Sequence, residues 1–126
     1  MIYDLIKTID VEVNMVCTGI AYSIAAVIFA GAKRRSMWPH SKLMIHQPWL
    51  ASGVSGTASE VCRTAEEIMK RKSDIIKALS ADTGKSNDII EKAISYDNYF
   101  TAEEAIAFNL AGGIVDTIIC QNGGSL

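Results

Sequence analysis

Residues 12–32 read EVNMVCTGIAYSIAAVIFAGA, and the hydrophobic pattern changes its period inside this stretch. Over residues 12–18 apolar side chains alternate with others, which predicts a short strand that ends at Gly19. Residues 24–32 are apolar and predict a helix, so Ser23 is placed at a turn from strand to helix. A strand followed by a helix is the unit from which α/β folds are built.

The same stretch has a competing interpretation. Twenty uncharged residues lie between Glu12 and Lys33, which is the length of a transmembrane helix. The basic residues Lys-Arg-Arg that follow are typical of the cytoplasmic end of such a helix. Polar residues and glycines divide this apolar run into shorter pieces: Asn14, Thr18, Gly19, Ser23 and Gly31. They favour the strand and helix, and a membrane anchor through residues 13–32 stays as the more distant alternative.

The rest of the chain continues the alternation of strands and helices. Residues 2–9 are predicted as the end of a helix and residues 41–47 as a second strand. A long amphipathic helix is predicted over residues 58–79, with Gly84 just beyond it as a stop signal. The remaining predictions are a helix from Ser86, a helix over 102–109 with a capping box of Thr101 and Glu104, a left-handed cap at Asn109 and a last strand over 113–120. This order predicts an α/β fold with a largely parallel sheet.

Length and composition restrict the class of protein. We expect 126 residues to form a single domain over residues 1–126. The formal net charge is −2, and basic residues alternate with acidic ones, which argues against nucleic acid as a partner. The basic cluster at 33–35 is predicted as a solvated helix end.

Cysteine usage and the N-terminal sequence lead us to expect a cytoplasmic protein. Cys17, Cys62 and Cys120 are odd in number and widely spaced, so neither a disulfide framework nor a thiolate metal site is predicted. Free thiols suit a reducing compartment, and residues 1–7 have no secretory pattern.

Three residues meet the needs of nucleophilic catalysis. A serine hydroxyl needs a base to take its proton, and the base needs a third group to hold its tautomer. Ser23 stands at the turn into a helix, His46 ends an apolar strand, and Asp97 lies before a capped helix. Structural roles compete with this triad: a helix cap for Ser23, a hydrogen-bonded core residue for His46 and a loop carboxylate for Asp97. From the pattern alone the structural roles are favoured.

The motifs around these residues resemble those of the Clp protease proteolytic subunit family. Residues 18–23, TGIAYS, resemble the segment that leads to the family's nucleophile. Residues 41–48, SKLMIHQP, are similar to its base-bearing motif and are the most specific signal in the chain. Residues 97–105, DNYFTAEEA, resemble the acid motif and the helix after it. The resemblance runs from residue 2 to about residue 120.

The resemblance implies a ClpP/crotonase-like α/β fold of strand-strand-helix units with a largely parallel sheet. It implies Ser23 as nucleophile, His46 as general base and then acid, and Asp97 as the group that orients the histidine. The backbone N–H of Ile24, at the start of the helix, is predicted as an oxyanion donor. The implied partners are a polypeptide substrate, further copies of the chain in stacked rings and a Clp-type ATPase. No metal or organic cofactor, no nucleic acid and no membrane are expected.

The sequence departs from the family pattern near the proposed nucleophile. Ile24 and Ala25 stand where the family usually has Met and Gly, and the loop over 49–57 carries two added residues. Tyr96 replaces an Arg that is common before the acid. Phage head-maturation proteases related to the family vary similarly around their serine.

The largest departure is the segment before Ile2. Family members carry about a further third of their chain there, including a Gly-Gly-Ser turn that supplies a second oxyanion N–H. We therefore interpret the chain as N-terminally truncated: a fragment, a truncated reading frame or a subunit completed by another chain. Replacement of the turn by Gly123-Gly124-Ser125 is the more distant alternative, because Gly and Ser are common in chain tails. Two functions remain open: a serine endopeptidase subunit, or a non-catalytic structural subunit of a Clp-like assembly.

Overall fold

The structure, a computed structural model, describes residues 1–115 of the chain. Five helices occur in this range: α1 (Ile2–Thr8), α2 (Ile24–Gly31), α3 (Ala58–Thr83), α4 (Asn87–Ala93) and α5 (Ala102–Ala107). Six strands accompany them: β1 (Asn14–Cys17), β2 (Ile20–Tyr22), β3 (Arg34–Met37), β4 (Lys42–Ile45), β5 (Asn98–Thr101) and β6 (Gly113–Ile114). The predicted last strand begins as β6, and its residues 116–120 lie outside the described part.

Two three-stranded sheets organise these strands. One has the order β1-β3-β6 and is parallel throughout. The other has the order β2-β4-β5, with β2 parallel and β5 antiparallel to the central β4. The predicted α/β fold with largely parallel pairing is therefore confirmed.

The local signals at helix ends are confirmed by the backbone. Thr57 and Thr101 each close a capping box with a glutamate three residues later, and Ser86 caps α4. Hydrogen bonds from the backbone and side chain of Thr57 lower the pKa of Glu60. Gly84 ends α3 in the left-handed conformation, at φ 73°. The signals at Gly84, Ser86 and Thr101 are those that the sequence predicts, whereas the capping box of Thr57 is not predicted there.

The membrane interpretation of residues 13–32 is wrong. This stretch forms β1, β2 and the eight-residue α2, which is buried through Ala26, Phe29 and Ala30. No helix within the described residues is long and apolar enough to cross a bilayer. Apolar continuity here comes from burial inside the protein, because α2 packs between α1, α3 and the β2-β4 sheet.

The sequence pattern predicts none of the strands β2, β3 and β5. Because β5 follows Asp97, this residue lies before a strand and not directly before a helix. The basic cluster was also misassigned, because Arg34 and Arg35 belong to β3 and are not a solvated helix end. The Arg35 guanidinium is partly buried and donates to the backbone carbonyls of Ala30 and Asp82 at 2.7 and 2.9 Å. These contacts satisfy the open carbonyls at the ends of α2 and α3.

The carboxylate of Asp82 joins α1 to the end of α3. Its side chain is only 4% exposed and accepts hydrogen bonds from Tyr3 Oη, at 2.8 Å, and from Lys7 Nζ. Burial, together with this carboxylate, raises the pKa of Tyr3. A Cβ atom on Gly31 would lie only 2.7 Å from the nearest carbon of the Tyr3 ring, so the ring packs where a larger residue would clash. The ion pair of Lys7 with Asp82 and the close packing of Tyr3 on Gly31 thus hold α1 in place.

Candidate active site

Ser23 occupies a strained turn between β2 and α2. Its backbone has φ 62° and ψ −122°, a conformation that costs a residue with a side chain about 1–3 kcal/mol. The turn is held because Ser23 N–H donates to the Met44 carbonyl at 2.8 Å, and the Ser23 carbonyl accepts from Ala26 N–H at 3.0 Å. The Ser23 side chain makes no capping hydrogen bond, so the helix-cap role is not the one observed. Its hydroxyl is left available for other chemistry.

His46 follows β4 directly and is half-buried. Pairing of Leu43 with Ala21 and of Met44 with Tyr22 brings the end of β4 beside the Ser23 turn. His46 and Ser23 line the same cleft, which has a volume of about 280 Å³. The pairing of two parallel strands therefore brings together two residues that are 23 positions apart in the sequence.

The cleft is mostly apolar with a charged edge. Its apolar lining comes from α2, β4 and α3: Ile24, Val27, Ile45, Ile75 and Leu79. Arg71 and Asp74 of α3 add charge, and no sequence pattern predicts them near Ser23. An apolar cleft beside a serine and a histidine is able to hold an apolar side chain of a peptide.

Asp97 does not line the cleft that holds Ser23. It is exposed and shares with His46 a second cavity of about 320 Å³, which is also lined by Gln47, Trp49 and Tyr96. Within residues 1–115 no hydrogen bond joins His46 to Asp97 or to the Ser23 hydroxyl. Instead His46 Nδ1 lies 2.5 Å from the carbonyl oxygen of Gln47, a partner that sequence reasoning missed. His46 thus shares one cavity with Ser23 and another with Asp97, and the hydrogen-bond acceptor at its Nδ1 is a backbone carbonyl.

The predicted oxyanion donor is at the first position of α2. N–H groups in the first turn of a helix have no acceptor inside the helix, so the Ile24 N–H is open to a ligand. The positive end of the helix dipole adds to the attraction for an anion. Gly123, Gly124 and Ser125, the other predicted donors, lie outside the described residues.

Comparison with known proteins gives consistent matches. A family model described as Clp protease matches residues 1–122. The ATP-dependent Clp protease proteolytic subunits 1 of Chlamydia abortus and Chlamydia muridarum are each 40% identical over 116 residues, 90% of this chain and 60% of each of theirs. The protein of the same name from Protochlamydia amoebophila is 36% identical over 118 residues, 92% of this chain and 57% of its own. The chain thus spans about 60% of the length of the curated relatives it matches.

Proposed function

Because the chain belongs to the Clp protease family, we propose that it is a serine endopeptidase subunit that hydrolyses unfolded polypeptides. The proposed triad is Ser23, His46 and Asp97. The observation that supports it best is the common cleft of Ser23 and His46, with the Ser23 hydroxyl free of a capping bond.

The proposed reaction proceeds in two acyl-transfer steps. Ser23 Oγ attacks the peptide carbonyl carbon while His46 Nε2 takes the hydroxyl proton. The carbonyl oxygen gains the negative charge, which the Ile24 N–H stabilises. Collapse breaks the C–N bond, and His46 returns the proton to the leaving amine. Water, deprotonated by His46, then hydrolyses the acyl ester and restores Ser23.

The cleft suggests which part of the substrate this chain holds. Its apolar lining favours a bulky apolar side chain next to the scissile bond, because burial of such a side chain contributes about 1.5–3 kcal/mol. An extended polypeptide reaches the cleft more readily than a folded one. No metal or organic cofactor enters the proposed steps.

The proposed assembly is a ring-forming homo-oligomer in the cytoplasm that is fed by a Clp-type ATPase. The first half of α3 supports association, because its apolar residues project away from the core of the chain. Val61 is 39% exposed and Met69 is 60% exposed on this helix. An exposed apolar stripe on a long helix favours a protein partner, and we assign a second copy to it.

Ile68→Asp combined with Met69→Asp is expected to convert this oligomer to a species near the 13.6 kDa of one chain, as measured by light scattering. Two carboxylates in an apolar interface have no partners and oppose association. Lys70→Asp is the matched control, because it adds a carboxylate one residue away, where the wild-type side chain is 73% exposed. An unchanged mass of the double variant would remove α3 from the proposed interface.

The peptidase proposal is tested by a fluorophosphonate probe, which forms a covalent adduct only with an activated serine. Incubation of the full chain, followed by peptide mapping, is expected to place the adduct on Ser23. Ser95, which is exposed and close to Asp97 in sequence, is the internal control and is expected to stay unmodified. A folded oligomer without any adduct contradicts the proposal.

The second candidate is a non-catalytic structural subunit of a Clp-like assembly. The observation that favours it is that His46 Nδ1 contacts the Gln47 carbonyl, with no hydrogen bond between His46 and Asp97 among residues 1–115. The two functions predict the same oligomer and differ in labelling of Ser23.

A further inference from the structure

The His46 ring has an acceptor that does not belong to the triad. We propose that the backbone carbonyl of Gln47 is a positioning group that keeps the His46 proton on Nδ1 without help from Asp97; this rests on the proposed function. The evidence is the 2.5 Å separation between His46 Nδ1 and the Gln47 oxygen. A carbonyl oxygen has lone pairs and no proton, so it accepts a hydrogen bond and never donates one. A hydrogen bond at this position therefore requires the proton on Nδ1.

The direction of the Gln47 carbonyl is constrained from three sides. The Gln47 N–H donates to the Ile94 carbonyl at 2.7 Å, which joins the peptide to the end of α4. The Gln47 side-chain amide donates to the Ser95 carbonyl at 3.4 Å. Pro48 follows, and a residue before proline is restricted to extended backbone angles. A carbonyl fixed in this way is already in position before substrate binds. Because it belongs to the backbone, no side-chain entropy is lost when it accepts the hydrogen bond.

The chemical result is a histidine that is prepared to act as a base. With the proton on Nδ1, the lone pair is on Nε2, the atom that must take the proton from Ser23. In a triad where the carboxylate alone sets this tautomer, conversion of the carboxylate to an amide gives the wrong tautomer and lowers turnover about 10⁴-fold. A backbone acceptor removes that dependence.

If the Gln47 carbonyl sets the tautomer of His46, the role left for Asp97 is to stabilise the charged ring. Its carboxylate is exposed and shares an open cavity with His46, with no direct hydrogen bond between them in residues 1–115. From there it stabilises the imidazolium that forms during the reaction. If the carboxylate forms a hydrogen bond with the ring only once the ring is charged, loss of that bond lowers the rate by about 10–100-fold.

The kinetic test compares Asp97→Asn with Asp97→Ala in the full chain, measured as the rate of Ser23 labelling by the fluorophosphonate probe. Both variants are expected to lose about 10–100-fold and to agree with each other within a few-fold. A loss of about 10⁴-fold in either variant overturns the inference. Asp10→Asn is the control, because it makes the same change on an exposed carboxylate that lines neither cavity at His46.

A spectroscopic test reads the tautomer itself. Ring ¹⁵N shifts of His46 in ¹⁵N-histidine-labelled Asp97→Ala, with His40→Gln to remove the other histidine signal, are expected to show the proton on Nδ1 at a pH where the ring is neutral. A proton on Nε2 overturns the inference, and Asp97→Asn gives the same readout if the alanine variant does not fold. This result does not depend on activity. Absence of wild-type labelling therefore contradicts the peptidase proposal, while the ring shifts still decide the role of Gln47.

Discussion

Ser23→Ala, His46→Ala and the double variant are each expected to lower peptide hydrolysis by about 10⁶-fold, with no further loss when the two changes are combined. The reason is that the hydroxyl and the imidazole act as one unit: a serine without a base is a poor nucleophile, and a base without the serine has no proton to take. The measurement is the release of a fluorophore from an apolar peptide substrate. Covalent labelling of Ser23 serves as a second readout.

Two control variants test whether the loss of activity is specific to Ser23 and His46. His40→Ala removes the other histidine, which lies exposed in the turn before β4, and Ser59→Ala removes an exposed hydroxyl from α3. Both are expected to keep wild-type rates. If His46→Ala lost less than about 100-fold, His46 would not be the base. The alternative of a structural subunit would then explain the site better.

Lys7→Met is expected to lower the free energy of unfolding by about 3 kcal/mol, which is the low end for breaking a buried ion pair because Lys7 is 40% exposed. The change leaves the Asp82 carboxylate, 4% exposed, with Tyr3 as its remaining side-chain partner. The double variant Lys7→Met with Asp82→Leu is expected to recover most of the loss, since an apolar pair of similar volume replaces a buried ion pair at little cost. Urea unfolding at one protein concentration measures both effects.

The matched control for this pair is Lys70→Met. Lys70 forms its ion pair with Glu67 on the surface of α3, where the two side chains are 73% and 59% exposed. Exposed pairs contribute about 0–1 kcal/mol, so the expected change is small. If Lys70→Met and Lys7→Met destabilised the chain equally, burial of Asp82 would not explain the effect.

The strain at Ser23 links the fold to the proposed chemistry. A backbone in this conformation persists only when neighbouring structure holds it, here through Met44 in β4 and Ala26 in α2. Those same hydrogen bonds bring Ser23 beside the strand that ends in His46. The turn therefore presents the hydroxyl to the cleft because the two elements around it are fixed.

Short-range patterns were sufficient for much of this protein. The capping residues Ser86 and Thr101 act on N–H groups within three positions, so the sequence predicts them directly. The strand-to-helix turn at Ser23 and the long amphipathic α3 also follow from period alone. The resemblance of the motifs then predicted the family, which the comparison with known proteins confirms.

Contacts between distant residues decided the rest. β3 holds two arginines and gave no strand signal, yet it is the central strand of a parallel sheet because β1 and β6 pair with it. Tyr3 and Asp82 are 79 positions apart, and no local pattern links them. The orientation of His46 depends on the Gln47 carbonyl, and the Gln47 peptide is held by Ile94, which lies directly after α4. The period of the hydrophobic residues predicts which face of a helix or strand is buried. The hydrogen-bond partner of a polar group depends on how the helices and strands pack against each other, which this period does not contain.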